Sequence, residues 1–201
     1  MNLTSVVGLV VAALDAAGVA YVLVGSLASS ARGFPRATND ADLVADLRRE
    51  HVDQLVAALQ ESFYIDTDAV VRAVSAHRSF NAIHHASGFK VDVFVPPPGG
   101  FGWQQLARRV AERLGATDMP PVFVATAEDM VIAKLDWFRA TGGTSDRQWQ
   151  DIVGIVAVQG PALDRNYLRE WATRLGLADL LERAFRACEI PRGKSDPTPF
   201  R

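Results

Sequence analysis

Val6, Val7, Val10, Val11 and Leu14 recur at steps of three and four, which predicts a helix over residues 3–16, ended by Gly18. The next apolar run, AYVLV at 20–24, is continuous and rich in β-formers. It predicts a strand central to a sheet. Residues 26–32 suit a short helix stopped by Gly33 and Pro35. ADLVADL at 41–47 is strand-like, and Val52, Leu55, Val56 and Leu59 line one face of a helix over 50–60. A shorter helix follows at 67–77. SFNAIHHAS and FKVDVFV flank Ser87-Gly88 and predict a hairpin.

PPPGG at 96–100 breaks the chain. Beyond it the pattern predicts a helix over 103–114 and a short strand, PVFVA, at 121–125. Thr126, with Asp129 three residues on, resembles a helix N-terminal capping pattern and opens a helix over 127–140. Gly142-Gly143 turns the chain and Ser145 can cap a helix over 146–158. Helices at 164–175 and 177–188 precede a proline-rich tail, 191–201, expected to be disordered. The organisation is α+β: an α/β part over 1–125 with a small mixed sheet flanked by helices, then a helical part over 126–190.

Composition narrows the partners. The 201 residues are 49% apolar, enough for one good core. Lysine and arginine number 21 against 23 acidic residues, a net charge of −2, so no global basic field announces nucleic acid. One cysteine, Cys188, excludes an internal disulfide, suits a reducing cytoplasm and is expected to pack in a helix. From Val6 to Ala31 the only charge is Asp15, yet Asp15, Gly18 and Gly25-Ser26 split the run. No basic residue precedes Arg32, so neither a membrane span nor a signal peptide is expected.

The chemistry gathers in VLVGSLASSARGFPRATNDADLV, residues 22–44. Residues i and i+2 of a strand share a face, so Asp40 and Asp42 project together. Two such carboxylates can share a hard divalent cation, or can be a polar lead-in to the strand, solvated or capping a turn. Asp92 sits among Val91, Val93, Phe94 and Val95, where a lone carboxylate is costly. It either joins the same site or pairs with an arginine. Gly25-Ser26, at the junction of strand and helix, offers backbone N–H groups to an anion. Lys134 lies on an apolar helix face with Met130, Val131, Trp137 and Phe138. Its anion is either a bound triphosphate or Asp151. Arg36 is near any phosphate held there, or is a solvated loop residue. Lys90 shares a strand face with Asp92 and can pair with it in the absence of metal, or touch substrate. His84 and His85 face opposite sides of a strand and make a poor zinc pair. Trp137 and Trp149 are at core spacing. Arg108, Arg109 and Arg113 make a solvated helix face or track an RNA backbone.

The order of these parts is telling: hydrophobic-Gly-Ser, thirteen residues, Asp-x-Asp, then a later Asp in an apolar strand. It resembles the DNA polymerase beta-like nucleotidyltransferase superfamily. VGSLASSARGFPRATNDADLV is similar to the minimal bacterial nucleotidyltransferases, including abortive-infection-type toxins of toxin–antitoxin pairs. TAEDMVIAKLDWF with the later DRQWQDI resembles their C-terminal helices, so the likeness runs over about residues 18–155. Ala41 stands where a larger aliphatic residue is usual.

The resemblance implies a nucleotidyltransferase-type sheet, and Asp40, Asp42 and Asp92 as catalytic and metal-binding residues. The metal would be Mg²⁺, as two ions, with Mn²⁺ as an alternative. Gly25, Ser26, Arg36 and Lys134 would bind an NTP such as ATP. A nucleoside monophosphate would pass to a hydroxyl on RNA, protein or a small molecule, and a toxin–antitoxin partner protein is implied. Two other readings compete: a non-catalytic nucleotide- or partner-binding module of the same fold, as an antitoxin or regulator, and a metal-dependent phosphohydrolase. The clustered aspartates suit the last, but Gly25-Ser26 and the lack of a histidine-rich metal set weigh against it.

Overall fold

The computed structural model describes residues 1–33, 37–114 and 120–189. Arg36 and the 191–201 tail lie outside them. Among the described residues seven strands form one mixed sheet: β1 (Tyr21–Val24), β2 (Asp40–Ala45), β3 (Phe63–Tyr64), β4 (Ser79–His84), β5 (Lys90–Phe94), β6 (Val110–Glu112) and β7 (Val122–Val124). Their order across the sheet is β3-β4-β5-β2-β1-β7-β6. β1 runs antiparallel to β2 and parallel to β7, and β2 runs parallel to β5. The 84–90 turn closes the expected hairpin, with β4 antiparallel to β5.

The helices among the described residues are α1 (Leu3–Ala16), α2 (Gly25–Arg32), α3 (Val52–Leu59), α4 (Thr67–Ala76), α5 (Phe101–Arg108), α6 (Ala127–Ala140), α7 (Asp146–Gln159), α8 (Arg165–Arg174) and α9 (Ala178–Glu189). Val6, Val7, Val10, Val11 and Leu14 are all buried, so the periodicity that predicts α1 also aims it at the core. α1 packs on α3 and reaches β2. From β7 to Glu189 the chain is helical, and α6 to α9 pack on one another, while α2 bridges β1 and β2 to α6 and α7. Among the described residues no helix is long and apolar enough to cross a membrane.

The expected 103–114 helix is wrong in its second half. α5 ends at Arg108, and Arg109 takes an extended ψ of 145°. Val110 then pairs with Val124, making β6 the edge strand beside β7. The Arg109 Nη1 donates to the Leu106 carbonyl at 2.5 Å, satisfying an end-of-helix acceptor, and its guanidinium lies 4.7 Å from the Phe123 ring centre. Trp137 also departs from expectation, being 56% exposed, whereas Trp149 packs against Phe138 with ring centres 5.4 Å apart. The Cys188 thiol, half-buried, donates to the Val153 carbonyl at 3.6 Å.

Candidate active site

β1 ends at Val24, which lies opposite Asp42 of β2. The chain turns at once into α2 through Gly25, whose φ is +67°. A Cβ built on Gly25 would stand 1.9 Å from the Asp42 Oδ2. Glycine is therefore required twice over, for the left-handed backbone and for the approach of the carboxylate. The start of α2 has no side-chain cap, whereas α1, α4, α6, α7 and α8 are capped by Asn2, Asp66, Thr126, Ser145 and Asp164.

Strand alternation does the rest. Ala41 and Leu43 are fully buried, so Asp40 and Asp42 share the opposite, less covered face of β2. β5 lies alongside in parallel register, with Asp40 opposite Lys90 and Asp42 opposite Asp92. Asp92 therefore stands on the adjacent strand, beside Asp42, and not on a distant arginine. Four charged side chains, Asp40, Asp42, Lys90 and Asp92, share one small patch of sheet.

These charges find local partners. Lys90 Nζ donates to Asp92 Oδ2 at 2.6 Å, and the Thr38 hydroxyl donates to Asp40 Oδ1 at 2.5 Å. Burial, with Asp92 and Asp40 close by, pushes the Asp42 carboxyl above its ordinary value, and Lys134 and Lys90 only partly offset this. Hydrogen bonding to Asp92, helped by the nearby carboxylates, raises the Lys90 ammonium. Among the described residues no three His, Cys, Asp or Glu side chains converge as a ready-made metal site. Two of the three carboxylates are turned instead to Lys90 and Thr38. The donor chemistry nonetheless fits a hard cation: oxygen atoms only, on one sheet face, with Asp42 crowded by like charge.

Lys134, buried on α6, donates to Asp151 Oδ2 of α7 at 2.8 Å and to Gln148 Oε1 at 3.3 Å. Asp151 is thus the anion that compensates it here, while its charge still reaches Asp42. The Ser30 hydroxyl donates to the Ser26 carbonyl at 3.0 Å, and the Ser29 hydroxyl to the Gly25 carbonyl, stitching the first turns of α2. Arg36 lies outside the described residues.

One further group departs from the sequence expectations. Arg108 is neither a solvated arginine nor one set to track RNA. Its guanidinium stacks 3.8 Å from the Tyr167 ring centre and pairs with Glu128 at 3.6 Å and Asp129 at 3.5 Å. Asp129 itself, fully buried, gives its N–H to Thr126 as a capped first turn requires, and its carboxylate accepts from the Tyr167 hydroxyl. The capping pattern signals the helix start; nothing local to it signals Tyr167, thirty-eight residues on. His84 is buried against Ser87 while His85 is exposed, as opposite strand faces require.

No protein-family model matches the chain, and no curated protein does. Among solved structures, an antigenic nucleotidyltransferase-like protein from Paracoccidioides brasiliensis superposes with a TM-score of 0.53 at 17% identity, over 92% of each chain. The antibiotic-resistance factor ANT(2'')-Ia superposes with a TM-score of 0.51 at 16% identity, over 94% of this chain and 97% of its own. The chain therefore has the fold of nucleotidyltransferase-like proteins.

Proposed function

We propose that this protein transfers a nucleoside monophosphate from an NTP to a hydroxyl acceptor. The observation that carries the reading is the Gly25–Asp42 contact next to the Asp42–Asp92 pairing, within a nucleotidyltransferase fold. A chain under no functional demand has little reason to crowd three carboxylates on one sheet face, since each raises the cost of the others.

Asp40, Asp42 and Asp92 would hold Mg²⁺, which when bound neutralises the charge that builds on phosphate during displacement. The glycine turn at Gly25 and the start of α2, with Ser26, would receive the triphosphate, and Lys134, held by Asp151, adds positive charge near Asp42. The acceptor oxygen bonds to the α-phosphorus as the bond from that phosphorus to the bridging oxygen breaks. Pyrophosphate leaves with that electron pair, and the acceptor proton passes to the Asp92 carboxylate. RNA, protein and small-molecule hydroxyls all suit this chemistry, and the narrower role proposed is that of a toxin–antitoxin component acting on an RNA or protein target. Incubation with each α-labelled NTP, Mg²⁺ and a cell lysate tests it: a labelled product that requires Asp42 supports the reading. Absence of product with every NTP, or release of inorganic phosphate alone, overturns it.

A further inference from the structure

The Lys90 ammonium is a cation already lying on the carboxylate face. It reaches Asp92 at 2.6 Å from the same strand, two residues away, and the β2–β5 register sets its backbone opposite Asp40. Its side chain is 39% exposed, twice the 19% of Asp92. That is a tethered charge at the rim of the patch, with a flexible four-carbon stem able to swing outward. We propose that Lys90 is the resident counter-cation of the metal-free protein: it holds Asp92 until a divalent ion takes its place. The inference rests on the metal-binding reading above and concerns how that site is regulated.

The electrostatics favour such an exchange. Three carboxylates on one face repel at close range, and a single ammonium relieves the repulsion enough for the strands to stay in register. An ammonium brings one charge and shares its hydrogens with carboxylate oxygens, whereas a divalent ion would bring two charges and take those oxygens as ligands. A divalent ion that claims Asp92 Oδ2 displaces Lys90 from it, and every such ion meets that cost. Lys90 sets the metal affinity lower than the carboxylates alone would give, which keeps the site from filling with whatever divalent ion is at hand.

Mn²⁺ is the probe, and calorimetric affinity and melting temperature of the full chain are the readouts. Lys90→Met should bind Mn²⁺ about tenfold tighter than the wild type, the scale of one lost charged hydrogen bond, and should melt lower than the wild type without metal. Saturating Mn²⁺ should close that gap in melting temperature. A lysine that merely stabilises the sheet would, when removed, leave Mn²⁺ affinity unchanged or weaken it. Lys90→Gln, polar and similar in reach, repeats the test should Lys90→Met not fold without metal. Lys90→Arg should keep wild-type affinity. Mn²⁺ binding by the wild type with no gain in either neutral variant overturns the inference and leaves the metal site standing. No Mn²⁺ binding by any of them overturns both.

Discussion

Two lysine–aspartate pairs lie close enough to act on Asp42 and have little else in common. Lys90 and Asp92 are two residues apart on one strand, 2.6 Å between charges, and partly exposed. Lys134 and Asp151 come from different helices, seventeen residues apart, 2.8 Å between charges, with side chains only 7% and 8% exposed. The first pair can open by a change of rotamer into water. The second cannot open without leaving a charge in the interior. Similar distances thus describe different pairs: a part-exposed one at the rim, open to exchange, and a brace that fixes α6 against α7. Burial decides which is which, because desolvation penalises an unpaired charge only where water cannot reach it.

The largest expected effect comes from breaking the brace. Lys134→Ala should destabilise the protein by about 3–5 kcal/mol, the cost of orphaning a buried charge, seen as a large fall in Tm. Replacing both partners, Lys134→Met with Asp151→Leu, should recover most of it. Nucleotide affinity of the folded Lys134→Ala protein sharpens the comparison. An affinity loss of roughly 1.5–3 kcal/mol would assign the lysine to the triphosphate as well as to the brace.

Gly25→Ala attacks the rim instead. Its methyl would meet Asp42 and its backbone would stay left-handed, at about 1–2 kcal/mol for an alanine. Transfer should fall far more than stability does, measured as product formed by protein still folded at assay temperature. Equal losses in both would make Gly25 a packing residue only.

A third carboxylate separates burial from chemistry. Asp129 is as buried as any group in the protein but lies at the α5–α6–α8 junction, held by Tyr167 and Arg108. Burial raises its carboxyl above the ordinary 3.8, while the Tyr167 hydrogen bond pulls it down. The folded state therefore holds the Asp129 proton more tightly than the unfolded chain, and this group's contribution to stability declines as pH rises from about 3.8 through the raised value. Tyr167→Phe should cost roughly 1–3 kcal/mol at neutral pH, as a buried acceptor loses its donor. The loss should shrink in acid, where Asp129 is protonated. Urea melts at pH 4 and pH 7 decide; an equal loss at both would assign Tyr167 to packing alone.

Asp42→Asn should give the smallest change in stability, and in the opposite direction. Its raised carboxyl makes the ionised form costly in the metal-free protein. Removing the charge should raise metal-free Tm at pH 7, with no gain well below the ordinary carboxylate range, while abolishing transfer. A lower Tm at pH 7 would mean that Asp42 is held by favourable contacts, and the crowding argument would fail.

Much of this was readable along the chain because it is local. Helical spacing placed α1 and aimed its valines inward. The strand period put Asp40 and Asp42 on one face, and Gly-Ser after an apolar strand marked the turn at Gly25. Thr126 and Ser145 marked the starts of α6 and α7 through hydrogen bonds spanning three residues. Each of these depends on torsions and neighbours within a turn or two, which sequence spacing encodes directly.

Other features required the tertiary structure. That β5 lies parallel to β2, with Asp92 opposite Asp42, follows from how the sheet is ordered and not from either strand alone. β3 and β6, two and three residues long, are too short to show a period and exist because a neighbouring strand accepts them. Arg108 looked solvated on its own helix until Asp129 and Tyr167 arrived from two others. The choice of anion for Lys134 was open in the sequence, since any acid brought close would serve. Packing α7 against α6 supplied Asp151. Charge energies fall with distance in space and rise with burial, and both are set by packing between segments far apart in the chain.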